Sequence, residues 1–166
     1  MRIVVLGATG MAGAAVVAEA LRRGHDVTAV SRQHRSQTVG RLTSRLLDVT
    51  DVDGVADVAL RPPSGQESDL AGLTTGVLDA ASRSRTPLLI IGGAAPLTSP
   101  THPGTLAIDD PAIVPPEWRD VARASLDQIR ACQTHSYRGW VYLSPPAIFG
   151  PGDISGSYRR GTTTLL

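Results

Sequence analysis

Short aliphatic runs alternate along this chain with longer segments whose apolar residues recur at helical spacing. The first run, residues 3–6, is β-branched and aliphatic and ends at Gly7, which is typical of a strand buried on both faces. Apolar residues at positions 14, 17, 18 and 21 then predict a helix that ends near Gly24. A second strand over 26–31 follows, so the first thirty residues are predicted to form a βαβ unit.

The same alternation continues to about residue 144. Further strands are predicted over 45–48, 56–60, 87–91 and 140–144, and helices over 70–81 and 117–132. The polar segment 32–44 and the Pro-rich segment 96–116 are predicted as loops, and Trp118 is assigned to the apolar, core-facing side of the last helix. Strands that alternate with helices pair in parallel through right-handed crossovers. The predicted fold class is therefore α/β, a Rossmann-type doubly wound parallel sheet with strand order 3-2-1-4-5-6.

One domain accounts for the whole chain. Its 166 residues are enough for a real core, and no repeat or second domain is visible. We therefore expect a single Rossmann-type domain over 1–166, with an irregular tail over 150–166. Seven residues separate Asp48 from Ala56, which is too few for a crossover helix. This shortened crossover leaves one face of the sheet without cover unless a loop or a second subunit, as in a homodimer, supplies it.

Composition narrows the class of protein. A net charge of +1, with arginines spread along the chain, disfavours nucleic acid and anionic membranes as partners. The single cysteine, Cys132, excludes an internal disulfide and is interpreted as a buried apolar residue on a helix. The apolar run at the N-terminus is too short for a signal peptide, and no stretch suits a membrane helix, so a cytoplasmic protein is expected. The four histidines show no metal-ligand spacing with one another or with Cys132, and no metal is predicted.

The turn after the first strand carries the clearest chemical signal. It reads Gly7-Ala8-Thr9-Gly10-Met11-Ala12-Gly13, directly between a buried strand and a helix. Gly7 permits the tight turn, Gly10 lets the backbone approach a pyrophosphate, and Gly13 allows the helix to pack closely on the strand. The N–H groups at the helix start then face the negative charge of the phosphates. Ala14 stands where a Walker loop has its lysine, so hydrolysis of ATP or GTP is disfavoured.

The residues at the end of the second strand distinguish NAD from NADP as the cofactor. A carboxylate there would bind the ribose 2′-hydroxyl of NAD, whereas an arginine favours the 2′-phosphate of NADP. This strand ends with Ser31 and Arg32, which offer a hydroxyl and a planar fork of donors. NADPH is therefore predicted in preference to NADH, although an ordinary solvated charge is the alternative for Arg32.

These residues resemble a known family. The motifs that carry the resemblance are the loop 7–13, Ser31-Arg32, Asp48-Val49-Thr50-Asp51, Arg61-Pro62-Pro63, Ile91-Gly92-Gly93-Ala94 and Leu143-Ser144-Pro145-Pro146. The chain looks like an atypical short-chain dehydrogenase/reductase of the NAD(P)H-binding group, which includes relatives of the fungal regulator NmrA and of biliverdin-IXβ/flavin reductase. By this resemblance Asp48 and Val49 would flank the adenine, and Arg61 and Pro62 the ribose. Gly92, Pro145 and Pro146 would lie at the strand ends, with the two prolines on the nicotinamide side.

The departures from that family bear on activity. Members of the wider superfamily use a Tyr-x-x-x-Lys pair to move a proton, but this chain contains no lysine, so no catalytic residue is assigned. The chain also ends at Leu166, without the final strand and helix that normally build the substrate side, and its C-terminal part is expected to be truncated. Two hypotheses result. The first is an NADPH-dependent oxidoreductase acting on a small redox-active or conjugated substrate; the second is a non-catalytic NADP(H) sensor of the NmrA type.

A polar run, Ser99-Pro100-Thr101-His102, follows the fifth predicted strand. Ser99 is interpreted as a plain turn residue, and His102 as a surface histidine for which a catalytic role stays an alternative.

Overall fold

The computed structural model describes residues 1–31, 37–46, 69–152 and 156–166. Its strands are β1 (Arg2–Leu6), β2 (Asp26–Ser31), β3 (Gln37–Val39), β4 (Leu42–Leu46), β5 (Leu88–Ile91) and β6 (Trp140–Leu143). Its α-helices are α1 (Met11–Arg22), α2 (Leu70–Ser84) and α3 (Arg119–Thr134), with short 3₁₀ helices at Ala107–Asp109 and Pro116–Trp118. The predicted alternation of strands and helices is confirmed.

Two groups of parallel strands make up the described sheet structure. β1 pairs with β2 and β2 with β4, so that Leu6 lies opposite Val30 and Val30 opposite Arg45. β5 pairs with β6, with Ile91 opposite Leu143. In the predicted order 3-2-1-4-5-6 the third strand corresponds to the observed β4, so the predicted neighbours 3-2-1 and 5-6 are both observed. The predicted strand over 56–60 and the shortened crossover lie outside the described residues.

The third strand lies earlier than the sequence predicted. Its described part spans Leu42–Leu46, so it starts three residues before the predicted start at 45, while residues 47 and 48 of the predicted strand lie outside the described residues. The segment 37–39, predicted as loop, pairs with it as an antiparallel edge strand. Gly40 makes this hairpin feasible, because its φ of +59° lies in the left-handed region that a tight hairpin turn requires. A strand of three residues is too short to show an alternation of polar and apolar positions, so the sequence pattern could not predict it.

Two apolar clusters hold the helices on the sheet. The cluster under α1 consists of Val5, Ala8, Ala20 and Val27, with partly buried neighbours that include Val17 and Leu21. The second joins β1 and β2 to α2, α3 and β5; its buried members are Leu6, Val30, Val77, Leu78, Ala81, Leu88, Ile90 and Cys132. Cys132 is fully buried on α3, as predicted, and burial raises the pKa of its thiol to about 11. The thiol therefore stays protonated and behaves as a small apolar group.

Trp118 is not part of the core. α3 begins at Arg119, and Trp118 occupies the cap position before it with 60% of its surface exposed. The predicted helix began at 117, two residues before α3 and within a 3₁₀ turn that spans Pro116–Trp118, so the apolar face of α3 does not include this side chain. The prediction of a core tryptophan is wrong.

The Pro-rich segment between β5 and α3 is well packed. Ala95, Ile108 and Leu126 form a third buried cluster that ties this loop to α3. The backbone of Thr98 pairs on one side with Leu106 and on the other with Thr164 near the C-terminus. Neither helix nor strand occurs in the described part of the tail, yet this pairing fixes its end beside the loop.

One face of the β5–β6 pair remains open to solvent. Leu89, Val141 and Leu143 alternate with buried neighbours along the two strands and are exposed. Within the described residues, no helix has both the length and the apolar character needed to cross a membrane.

Candidate cofactor-binding site

The glycine loop is shaped by its own backbone. Gly7 has a φ of +68°, a conformation that L side chains rarely adopt, and its carbonyl accepts a hydrogen bond from the N–H of Gly10 at 2.9 Å. The N–H of Ala8 donates to the carbonyl of Val30 at 3.2 Å, which ties the loop to the end of β2. The turn therefore holds its shape without help from any side chain.

Gly13 is required by packing. It is buried in the first turn of α1, and a Cβ atom there would overlap the carbonyl group of Gly7. A neighbouring main chain cannot move aside as the end of a flexible side chain can. Gly13 is therefore what lets the helix start lie directly on the loop, as the sequence predicted.

Gly10 has a different reason to be glycine. Its φ of −76° and ψ of 167° suit any residue, and a Cβ would lie 3.2 Å from the Gly7 oxygen, which is only tight. Conformation alone does not demand glycine at this exposed position. The missing side chain instead leaves the helix start open to an approaching group.

The start of α1 fits an anionic ligand. No side chain caps it, and the first turn holds no acidic residue. The N–H groups of Met11, Ala12 and Gly13 have no carbonyl one turn earlier within the helix, so they remain available as donors at the positive end of the helix dipole. Thr9 and Met11 beside them are exposed. This is the geometry that binds the pyrophosphate of a dinucleotide.

Several predicted cofactor residues lie on segments outside the described structure. They are Arg32, Asp48, Val49, Arg61 and Pro62, and their roles stay predictions. Ser31 is described: it closes β2 and is buried next to the attachment point of the glycine loop at Val30. Because β1 and β2 are parallel and in register, the loop and Ser31 share one edge of the sheet. That edge is where ligands of open α/β sheets bind.

Gly92 and Gly93 end β5 and are explained by protein packing. A Cβ on Gly92 would overlap the ring of Tyr142, and one on Gly93 would lie 2.5 Å from the Ser125 hydroxyl. The sequence suggested that these glycines admit a ligand, but the structure supplies an internal reason for them. Pro145 and Pro146 follow β6 at the corresponding edge, the first half-buried and the second exposed.

Tyr142 organises a polar network beneath these glycines. Its hydroxyl accepts from the N–H of Gly93 at 3.3 Å and lies 3.1 Å from the Ser125 carbonyl and 3.2 Å from Gln128 Oε1. Gln128 in turn donates to Thr74 on α2 at 3.2 Å. Burial raises the pKa of Tyr142 to about 12, so its hydroxyl stays neutral and serves as a structural link rather than a poised acid.

A second polar cluster, which we call the Asp110 cluster, consists of Ser99, Thr101, His102 and Asp110. The Asp110 carboxylate is about 1% exposed, and its Oδ2 accepts from Ser99 Oγ at 2.7 Å and from His102 Nδ1 at 2.9 Å. These two hydrogen bonds lower the pKa of Asp110 to about 2, so the carboxylate is ionised at neutral pH. Ser99 is 2% exposed; its Oγ accepts from the N–H groups of Thr101 and His102, as a turn serine does, and in addition donates to Asp110.

Sequence reasoning missed Asp110 because nothing local marks it. Its partners precede it by eight to eleven residues in a segment without periodicity, and they are brought together by the packing of Ile108 and Ala95 and by the backbone pairing of Thr98 with Leu106. An aspartate followed by proline is usually a turn residue. The polar run Ser99-Pro100-Thr101-His102 was the only available signal.

The remaining tyrosine hydroxyls do not form a proton-transfer pair. Tyr137 donates to the carbonyl of Thr86 at 2.7 Å, and Tyr158 is largely exposed in the tail. The chain has no lysine that could pair with either phenol. Within the described segments, no group of three or more His, Cys, Asp or Glu residues is arranged to hold a metal ion.

The chain is similar to known proteins along its whole length. The chain is 31% identical to the uncharacterized protein YwnB of Bacillus subtilis across 178 aligned positions, covering all of this chain and 82% of that protein. A candidate epimerase of Bacteroides thetaiotaomicron superposes with a TM-score of 0.84 at 27% identity, covering 99% of this chain and 80% of the other. A candidate NADH-flavin reductase of Streptococcus pneumoniae superposes with a TM-score of 0.76 at 25% identity, covering 100% and 82%.

The family model with the description "NAD dependent epimerase/dehydratase family" matches residues 3–163, nearly the whole length of the chain. The match includes the glycine loop, the Tyr142 network and the Asp110 cluster. The α/β Rossmann-type fold and the atypical short-chain dehydrogenase/reductase character predicted from the sequence are thereby confirmed. This chain belongs to the NAD dependent epimerase/dehydratase family.

Proposed function

We propose that this protein is an NADPH-dependent oxidoreductase that transfers hydride to a small redox-active or conjugated acceptor. The observation that carries the proposal is the open start of α1, where Gly10 leaves room for a pyrophosphate against uncapped N–H groups and Gly13 lets the helix lie directly on the loop. The similarity to a candidate NADH-flavin reductase supports a flavin or another conjugated ring system as the acceptor. We expect it to act in the cytoplasm, and the open face of β5 and β6 allows a homodimer.

The lack of a Tyr-x-x-x-Lys pair limits the chemistry. A simple ketone needs a proton delivered to its oxygen as the hydride arrives, whereas a flavin or quinone can leave as a stabilised anion and take its proton from solvent. For such acceptors, holding the two rings in contact supplies most of the rate. The Tyr142 phenol, with its pKa raised to about 12, stays neutral and stabilises the site without exchanging protons, which is consistent with a reaction whose proton comes from solvent.

The cofactor preference is tested by titrating the purified protein with NADPH and with NADH. We expect tighter binding of NADPH, because Arg32 follows Ser31 at the end of β2 and matches the 2′-phosphate. Arg32→Ala should lose about 1.5–3 kcal/mol of NADPH binding free energy and little of NADH. Arg22→Ala is the matched control, since Arg22 is exposed at the far end of α1. Equal affinity of the wild type for both cofactors would contradict the assignment.

Turnover is tested separately by following NADPH absorbance with flavins and quinones as acceptors. Oxidation that depends on the acceptor supports the enzyme. Tight binding without oxidation of any acceptor would favour the second hypothesis, an NADP(H)-binding sensor of the NmrA type. The observation behind that alternative is that neither Tyr137 nor Tyr142 has a free hydroxyl and the chain holds no lysine.

A further inference from the structure

The Asp110 cluster has the arrangement of an acid–base pair. His102 donates from Nδ1 to the buried Asp110 carboxylate, which fixes the ring and leaves Nε2 as the second nitrogen. The His102 side chain is 64% exposed, and among the described residues Nε2 has no hydrogen-bond partner. An aspartate that orients one imidazole nitrogen makes the other a base when the ring is neutral and an acid when it is protonated.

The remaining members of the cluster stabilise the carboxylate. Ser99 Oγ donates to Asp110 and accepts from the N–H groups of Thr101 and His102 at 3.2 and 3.1 Å. Ser99 is buried, and its hydrogen goes to the carboxylate and not to the imidazole, so it is not an activated nucleophile. The other oxygen of Asp110 accepts from the N–H of Ala112 at 3.0 Å. Only His102 reaches the surface with a free polar atom.

The position of the cluster in the fold links it to the cofactor edge. β5 ends at Ile91, and α3 must start at that same edge because it returns the chain to the beginning of the parallel strand β6. Both ends of the connection 92–118, which contains His102 and Asp110, therefore lie at the carboxyl edge of the sheet, and its middle packs on α3 through Ile108 and Leu126. Substrates of this fold class bind at that edge, next to the cofactor.

We propose that His102 is a general acid for the reduction, held in place by Asp110 as its positioning residue. This inference rests on the proposed function and narrows its acceptor to a class of substrate whose oxygen needs a proton, a conjugated carbonyl compound. The acceptor gains the hydride from reduced nicotinamide at carbon, and the electron pair of its C=O bond moves to oxygen. That oxygen takes the proton from Nε2 of His102, which becomes neutral and recovers a proton from water.

The first test uses the cofactor-free protein. Nitrogen NMR of the histidine rings should show neutral His102 with its hydrogen on Nδ1, and Asp110→Asn should remove this tautomeric preference. His135 is the matched control, because its Nε2 donates to Asp79 and its Nδ1 accepts from the N–H of Tyr137. If neutral His102 of the wild type carries its hydrogen on Nε2, the arrangement is absent and the inference is overturned.

The second test compares two acceptors. His102→Gln should slow reduction of a conjugated ketone by about 10²–10⁴-fold, the usual worth of a general acid. Flavin reduction should change little, because the reduced flavin anion needs no immediate proton. NADPH affinity should stay the same, and His135→Gln should leave both rates unchanged.

The outcomes separate the two proposals. Flavin reduction by the wild type without any carbonyl reduction, or equal carbonyl rates in wild type and His102→Gln, overturns the role of His102 and leaves the oxidoreductase standing. Absence of NADPH oxidation with both acceptors overturns the oxidoreductase and the general acid together. A selective loss of carbonyl reduction in His102→Gln, with the expected tautomer in the wild type, establishes the inference.

Discussion

The two sides of the carboxyl edge are built by different means. On the β1–β2 side, the glycine loop keeps its shape through main-chain hydrogen bonds and through the missing side chain of Gly13. On the β5–β6 side, the edge is held by side chains: the Tyr142 network and the Asp110 cluster connect residues that are distant in the chain, such as Thr74 and Gln128. The cofactor side depends on backbone geometry, which tolerates almost no added atoms, while the other side depends on hydrogen bonds that can be removed one at a time.

The largest effect is expected for Gly13→Ala. The added Cβ overlaps the Gly7 carbonyl, a main-chain obstacle, so the free energy of unfolding should fall by about 3 kcal/mol, the upper part of the range for overpacking. NADPH binding should be lost in parallel, since relief requires the helix start to move. Thermal unfolding and cofactor titration measure both. Gly72→Ala, exposed in α2 with no atom within 4 Å of the new Cβ, should instead be neutral or stabilise by up to about 1 kcal/mol.

A smaller loss is expected for Gly92→Ala on the opposite side. Here the obstacle is the ring of Tyr142, a side chain that can rotate if its hydrogen bonds break. Denaturant unfolding should therefore show a loss of about 2 kcal/mol, below that of Gly13→Ala. The control is Gly150→Ala, since Gly150 is exposed and a Cβ added there meets no atom within 4 Å. A loss as large as that of Gly13→Ala would erase the distinction between the two sides.

Tyr142→Phe removes the hydroxyl and keeps the ring. The buried N–H of Gly93 and the carbonyl of Ser125 then lose a partner, which should cost about 1–1.5 kcal/mol in the free energy of unfolding. Tyr158→Phe, in the exposed tail, should change nothing. Because folding holds the Tyr142 pKa near 12, above its ordinary value of 10, wild-type stability should also decline as pH rises from 10 to 12. Tyr142→Phe should show a weaker decline.

The smallest effect is the pH dependence of the stability that Asp110 contributes, and it is expected only at low pH. Asp110 has a folded pKa of about 2, below its ordinary value of 3.8, so its charge stabilises the fold above pH 4. That contribution should disappear as pH falls from about 4 through 2. The difference in unfolding midpoint between wild type and Asp110→Asn should therefore be constant near neutrality and shrink at low pH. Asp127→Asn gives the reference for removing an exposed carboxylate; a pH-independent difference for Asp110 would contradict the assignment.

The features predicted well from sequence are those specified locally. The glycine loop, the helix over 70–81 and the aliphatic strands each carry their signal within a window of about a dozen residues. Thr74 also falls on the predicted core-facing row of α2, and it is buried there. The family resemblance drew on the same local motifs.

What the sequence could not predict depends on contacts across the chain. The bond between Gln128 and Thr74 spans 54 residues, and that between Tyr142 and Gly93 spans 49. The edge strand at 37–39 forms by pairing with β4, and Trp118 leaves the core because the helix starts two residues later than predicted. None of these features leaves a periodic pattern in the sequence, because each depends on contacts with another segment of the chain and not on the segment's own residues.

The error over Trp118 has an optical consequence. Trp118 precedes α3 at the carboxyl edge and is exposed, whereas Trp140 begins β6 at the other edge, half-buried, with its indole N–H donating to the Tyr137 carbonyl. Since reduced nicotinamide absorbs where tryptophan emits, a dinucleotide at the carboxyl edge should quench the red-shifted emission of the solvated Trp118 more than the bluer emission of Trp140. Trp118 is thus the tryptophan near the carboxyl edge and Trp140 the one far from it, and the difference between their emission wavelengths shows which edge a bound dinucleotide occupies.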